Sequence, residues 1–453
     1  MAGSRGAGGD WGRVVALRDL AGREVVLGDV LGEGGEGTVY RLEGHRSLVA
    51  KIYHPAQRTT EREAKVKQML IAPPADPLAP RGKVSLAWPK SALRDEGGFA
   101  GFTMPAVDIS QAYAIHQLWK AKQRPAGCTY THLMRVASNL CAVTQALHAS
   151  DYVLGDVNES NFLVTHRSLV VAVDLDSIQV PGPGGTTFRC VVHKPEFSPP
   201  ELQGGFDFRE QDRKKEHDRF GLAVLLWELL MLGRHPFAGG KPQIAMNIKD
   251  GVSWVLDPDR PAPAGAPTLE TLPPNLMPLA KRAFGGAPDE RPEAFEWHRA
   301  LGVALDGLRG CKKVKAHTYG KHLDACPWCA YAERWRYDPY DPSSTKAAYG
   351  RSREGNRKLA QEWSKAKSDA LAAKLSGTRS AATALPAAPV APPAAGGTAP
   401  AFVSVDQHMP DATIPTYQRP DAYTPRSIPL WWWMAAFGVG VVVVVALLLL
   451  PFG

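Results

Sequence analysis

From Val14 to about Leu308, apolar positions alternate with turn signals without a long break, the pattern of one large mixed domain. Leu31 to His54 reads as strand, Gly-rich turn, strand, turn, strand. Helical spacing follows in TEREAKVKQML and again in THLMRVASNLCAVTQALHASDY, which is amphipathic. SLVVAVDLDS reads as a further strand. HDRFGLAVLLWELLMLGRHPF is apolar on all sides as far as Met231 and predicts a buried central helix. The pattern predicts an α+β domain over residues 13–307, preceded by a loose Gly-rich stretch at 1–12.

Beyond the domain the pattern changes three times. A cysteine- and histidine-bearing module is expected at 308–335, then an Ala-, Lys- and Arg-rich basic surface helix at 336–375. Residues 376–429, including ALPAAPVAPPAAGG, have no periodicity and cannot bury a core, so they read as a linker. The segment 430–451 has no charged residue. As a helix, Leu430 to Leu450 would span about 32 Å at about 1.5 Å per residue, matching a bilayer core of about 30 Å. Trp431, Trp432 and Trp433 would lie at the headgroup level. The expectation is a single-pass anchor in a lipid bilayer. Arg419 and Arg426 precede it and no charge follows, which puts the bulk of the chain on the cytoplasmic side.

Composition adds little to this picture. The 453 residues are 44% hydrophobic and 22% charged, with a formal net charge of +8, a mild excess without an evident basic cluster. No nucleic-acid partner is therefore expected. The N-terminus has no apolar run after its charges, so no signal peptide is visible.

Candidate chemistry begins at LGEGGEGTVY. Gly32, Gly34, Gly35 and Gly37 allow close backbone approach to a phosphate, and Val39 could cover a flat base. Fourteen residues after Gly37, Val49-Ala50-Lys51-Ile52 buries a lysine in an apolar strand, which is costly unless it meets anions. G-E-G-G-E-G-T-V and V-A-K-I resemble the Gly-rich loop and lysine strand of protein kinases. That resemblance implies a bilobal fold, with lobes at about 25–105 and 106–307. It also implies ATP under the loop, with Ala50 and Lys51 beside it and Met104 to Val107 as the hinge to the adenine. A glutamate of the following helix should pair with Lys51. Glu63 is chosen because Val66 and Leu70 share its side of the helix, with Glu61 as the rival.

In VLGDVNESNFLV, Asp156 and Asn161 keep the spacing of the kinase catalytic loop. The resemblance makes Asp156 the acceptor of a substrate hydroxyl proton. Asn161, with Asp174 thirteen residues later, would be the Mg²⁺ ligands. Leu154 and Gly155 stand where the family has His and Arg, and Asn158 replaces a lysine. Asp174-Leu175-Asp176 replaces D-F-G, so Asp176 could be a further metal carboxylate. Without that arginine, phosphorylation at Thr186 or Thr187 should not be needed. FSPPELQG resembles A-P-E, so Glu201 should be buried against Arg291 of DERPEAF, and Asp218 should bind the backbone of the catalytic loop.

In the downstream module, Cys326-x-x-Cys329 presents two thiolates a metal's width apart. Cys311 and His317 are the expected partners of a structural Zn²⁺, with His322 as competitor. A thioredoxin-like motif would need a βαβ context, which is missing. The expectation is a membrane-tethered protein kinase of bacterial Ser/Thr type, acting on a protein hydroxyl. A nucleotide-binding pseudokinase and a membrane-recruitment adaptor are the alternatives.

Overall fold

The structure is a computed structural model that describes residues 16–108, 112–120 and 123–340. Its N-terminal part is an antiparallel sheet built from β1 (Leu17–Asp19), β2 (Glu24–Val25), β3 (Leu27–Glu33), β4 (Gly37–Leu42), β5 (His45–Tyr53), β6 (Ser91–Asp95) and β7 (Gly98–Pro105). The spatial order is β2-β1-β6-β7-β5-β4-β3. The sheet thus begins before residue 25, because β1 pairs with β6 through Arg18↔Arg94.

Strand alternation on β5 sends Ala50 to one apolar cluster, with Leu42, Leu93 and Ala100, and Tyr53 to another, with Val66, Phe99 and Phe102. Lys51 and Tyr53, two residues apart, share a face. Helix α1 (Thr60–Ile71) covers that side; Thr59 caps it by accepting from the Arg62 amide at 3.1 Å. β5 and β7 approach so closely that a Cβ on Gly101 would lie 2.0 Å from the Lys51 carbonyl oxygen, so only glycine fits there.

The second part is mainly helical. A small sheet orders β10-β9-β8, from β8 (Ala112–Ala114), β9 (Phe162–Thr165) and β10 (Val170–Ala172). Helix α2 (Tyr130–Ala149) precedes β9. The β11–β12 hairpin (Val180–Pro181, Thr187–Phe188) follows β10. Then come α3 (Lys215–Leu230), α4 (Ile244–Lys249), α5 (Met277–Gly285) and α6 (Ala294–Asp306). α3 is buried from Phe220 to Trp227 and again at Leu229 and Leu230, as its continuous apolar sequence requires. Each such leucine contributes about 1.5–3 kcal/mol of burial.

The cysteine module comprises β13 (Leu308–Gly310), β14 (Thr318–Gly320) and α7 (Pro327–Trp335). It is not a free-standing boundary element. Trp328 and Tyr340 belong to the same core as α2 and α3, and the Trp328 ring lies 5.0 Å from that of Tyr130. Thr131 and Thr318 hydroxyls bond at 2.8 Å, and buried Arg124 donates to the Pro339 carbonyl at 2.5 Å.

After α7, Arg336 takes left-handed angles and residues 336–340 form no helix, so the expected basic helix does not start at 336. Its remainder, the linker at 376–429, the anchor at 430–451 and the stretch 1–12 lie outside the described residues. Among the described residues no helix is long and apolar enough to cross a membrane.

Candidate active site and zinc site

The Gly-rich turn connects β3 to β4. Gly32 pairs with Val39, and the Gly34 amide donates to the Gly37 carbonyl at 2.9 Å. Gly35 and Glu36 complete the turn. His54 holds it from β5: its amide donates to the Glu36 carbonyl at 3.0 Å, and Nε2 contacts the Gly34 carbonyl at 2.8 Å. Val39 lies opposite Lys51, Ala50 is fully buried, and Met104 pairs with Val49 at the end of β7. Val107 follows two residues beyond that strand.

Lys51 is 6% exposed and meets carboxylates across 123 and 125 residues of sequence. Its Nζ lies 2.9 Å from Asp174 Oδ1, 2.7 Å from each oxygen of Asp176, and 3.7 Å from Glu36. Burial opposes its charge, yet Asp174, Asp176 and Glu36 outweigh burial and raise its pKa above the ordinary lysine value. Asp174 takes left-handed angles (φ 60°, ψ 36°), and the tight turn that follows brings Asp176 round to the same amine. The Ser177 hydroxyl secures that turn by donating to the Asp174 carbonyl at 2.8 Å.

The expected Glu63–Lys51 pair is not formed. Glu63 pairs instead with Lys67 at 2.9 Å and with Arg94, while Glu61 is exposed. The buried face of α1 is Lys65, Val66 and Met69, which turns Glu63 toward the β6 side. Sequence reasoning also missed Glu36, which is bound by Arg62 at 3.0 Å, and Tyr53, whose hydroxyl donates to Asp176 at 2.7 Å. A glutamate inside a Gly-rich turn and a tyrosine two residues after the lysine were the available signals.

The catalytic-loop candidates sit on a frame anchored by α3. Asp218 is 1% exposed and accepts from the Leu154 and Gly155 amides at 2.7 and 2.8 Å and contacts His148 Nε2 at 2.9 Å. Gly155 has φ +71°, and a Cβ there would meet Cys190 at 2.8 Å; this loop has no room for an arginine at that position. Asn161 donates to the Asp156 carbonyl at 2.6 Å, and Asn158 does so at 3.1 Å. Asp156 is 8% exposed, and its Oδ1 is buried without a hydrogen-bond partner. Such an orphaned acceptor is costly unless a donor arrives from outside.

Glu201 and Arg291 form a two-bond pair at 2.6 and 2.9 Å. Arg291 is buried, whereas the Glu201 side chain keeps 31% exposure, more than its expected burial.

In the cysteine module, Cys311, His317, Cys326 and Cys329 bring one ligand atom each within 4.8 Å of one another. Cys311 and Cys329 sulfurs are 3.6 Å apart, and His317 Nδ1 is 3.5 Å from both Cys326 and Cys329 sulfurs. Nε2 of the fully buried His317 lies 2.9 and 2.8 Å from the Asp338 carboxylate oxygens. Three soft sulfurs, one imidazole nitrogen and a carboxylate orienting the ring fit a structural zinc site. His322 is elsewhere, with Nε2 against the Glu270 carbonyl at 2.9 Å.

The mixed sheet-and-helix architecture is compatible with a kinase-like fold, and its ordered motifs define a protein-kinase-like class. No family model matches the chain. Two curated relatives support a protein-kinase-like superfamily. Protein kinase YegI of Escherichia coli strain K12 is 34% identical over 328 residues, 68% of this chain and 49% of the relative. Protein kinase YegI of Escherichia coli O157:H7 is 34% identical over 333 residues, 69% of this chain and 50% of the relative. The chain therefore spans about half the length of these relatives.

Proposed function

We propose that this chain is an ATP-dependent protein kinase, Ser/Thr-directed, working at the cytoplasmic face of a membrane through a C-terminal anchor. The observation that supports it most is the convergence of Lys51, Asp174 and Asp176 on one another; in the catalytic-loop segment, Asp156 keeps a buried oxygen without a hydrogen-bond partner. Lys51 would grip the triphosphate as a fixed cation. Asp174, whose side chain is 22% exposed, would supply a hard carboxylate oxygen and Asn161 an amide oxygen, a donor set that fits Mg²⁺. When bound, Mg²⁺ would neutralise charge on the phosphates. Asp156 Oδ1 would accept the proton of the substrate hydroxyl, the donor that its buried position lacks. The Gly-rich turn, held by His54, would cover the phosphates, with Ala50, Met104 and Val107 around the adenine.

A structural zinc at Cys311, His317, Cys326 and Cys329 would hold α7 on the second part of the domain. The pseudokinase reading has one observation in its favour: Lys51 is already ion-paired with two aspartates. Incubating the full chain with γ-labelled ATP and Mg²⁺ tests the proposal. Label should enter the chain or an added protein, and Asp156→Asn should lower the rate about 100-fold or more. Absence of transfer by the unaltered chain across many candidate proteins, with ATP bound, would favour the pseudokinase.

A further inference from the structure

On the kinase reading above, we infer that Asp176, held by Tyr53, is the positioning residue for the nucleotide lysine, in place of a glutamate from α1. The two aspartates of the Asp174-Leu175-Asp176 turn are not equivalent. Asp176 gives both carboxylate oxygens to Lys51 at 2.7 Å, and its side chain is 2% exposed. Asp174 gives one oxygen at 2.9 Å, and its side chain is 22% exposed. A carboxylate facing solvent can turn to a cation, while a buried one held by two donors cannot do so without leaving an amine and a phenol unpaired.

Tyr53 is the second donor, at 2.7 Å, on the same β5 face as the lysine it helps to orient. The residues of α1 that face this cluster are cationic. Arg62 binds Glu36 at 3.0 Å and lies 4.6 Å from the centre of the Tyr53 ring. Lys65 is 8% exposed; burial holds its pKa below the ordinary lysine value, and the attraction of Cys190, Asp176 and Glu36 offsets that only in part. The loops therefore supply three carboxylates, Glu36, Asp174 and Asp176, to two cations, Lys51 and Arg62. The polarity expected of this helix is reversed. A side-chain carboxylate at position 176, where a glycine was expected, makes the reversal possible. Lys51 is thus latched within β5 and the aspartate turn, and its latch does not depend on where α1 lies.

The test measures Mg-ATP affinity of the full chain by calorimetry. Asp176→Asn should weaken binding at least ten-fold, and Glu63→Gln should leave it within two-fold of the unaltered chain. Tyr53→Phe, which keeps the ring and removes one hydroxyl, should weaken binding about three- to ten-fold and raise KM for ATP more than it lowers kcat. This second variant serves if Asp176→Asn fails to fold. Returning the acid to the helix, in the double variant Asp176→Gly with Lys65→Glu, should recover most of the affinity lost by Asp176→Gly alone. Equal losses from Glu63→Gln and Asp176→Asn, or full affinity in both Asp176→Asn and Tyr53→Phe, would overturn the inference. No Mg-ATP binding by the unaltered chain would instead overturn the kinase reading on which it rests.

Discussion

Glu201→Gln is the sharpest test of how the second part of the domain is braced. Arg291 is 4% exposed. It donates to both Glu201 oxygens at 2.6 and 2.9 Å and to the Glu216 carbonyl at 3.1 Å, with its guanidinium 5.4 Å from the Phe220 ring centre. Removing one partner of a fully buried pair costs ~3–5 kcal/mol, because the other charge stays behind uncompensated. A fully exposed pair is worth only ~0–1 kcal/mol. Glu201, with its side chain 31% exposed, lies between these limits, and we expect a loss of about 2 kcal/mol. In a domain of this size that lowers the melting temperature by about 4 °C.

Differential scanning calorimetry at neutral pH reads the change. The double variant Glu201→Gln with Arg291→Met should recover at least half of it, since an apolar side chain of similar length leaves no charge against Phe220. Burial raises the Glu201 pKa, but Arg291 outweighs it and holds the carboxyl below its ordinary value of 4.5. The pair's contribution is therefore complete above that value and is lost as pH falls through the lower folded one. An unchanged melting temperature in the single variant, or a double variant worse than the sum of its singles, would refute the reasoning.

Three further outcomes are expected. Burial holds His235 down to about 4 from an ordinary 6.5, while Nε2 donates to the Glu196 carbonyl and Nδ1 accepts from the Phe237 amide. The unfolded chain thus binds a proton that the folded one refuses: stability should be full above pH 6.5 and fall toward pH 4 by about 1.4 kcal/mol per unit, a slope that His235→Gln should reduce in urea melts. Purified protein should carry one zinc per chain by plasma emission; Cys326→Ser should lose it and lower the melting temperature, and Asp338→Ala should weaken zinc binding about 10- to 100-fold. Thr186→Ala with Thr187→Ala should leave phosphoryl transfer within about two-fold, because no arginine precedes Asp156 to receive a phosphate; abolished transfer would contradict this.

Motifs in kinase order and spacing carried much of the arrangement. The resemblance of the Gly-rich loop, of the lysine strand and of the Asp156, Asn161 and Asp174 spacing to protein kinases implied one pocket for Lys51 and Asp174, and the two lie 2.9 Å apart. Glu63 failed because a short helix tolerates a buried lysine stem. Lys65 occupies the inward face together with Val66 and Met69, and no apolar count distinguishes that register from one rotated by a single residue. Asp176 was noticed as a departure, but the hydroxyl of Tyr53 and the arginine of α1 that complete its surroundings come from distant segments. The zinc ligands could be narrowed to His317 or His322 by spacing alone. Asp338 and the Glu270 carbonyl, each set by tertiary packing, distinguish the two histidines.

The most direct measurement of the central claim is the melting temperature of the full chain with and without Mg-ATP, beside Lys51→Met. At a hundred times its dissociation constant a ligand stabilises by about 2.7 kcal/mol, a rise of about 5 °C here. The account predicts that rise in the unaltered chain, dependent on Mg²⁺ and lost in Lys51→Met. The same melting temperature with and without Mg-ATP in the unaltered chain would contradict it.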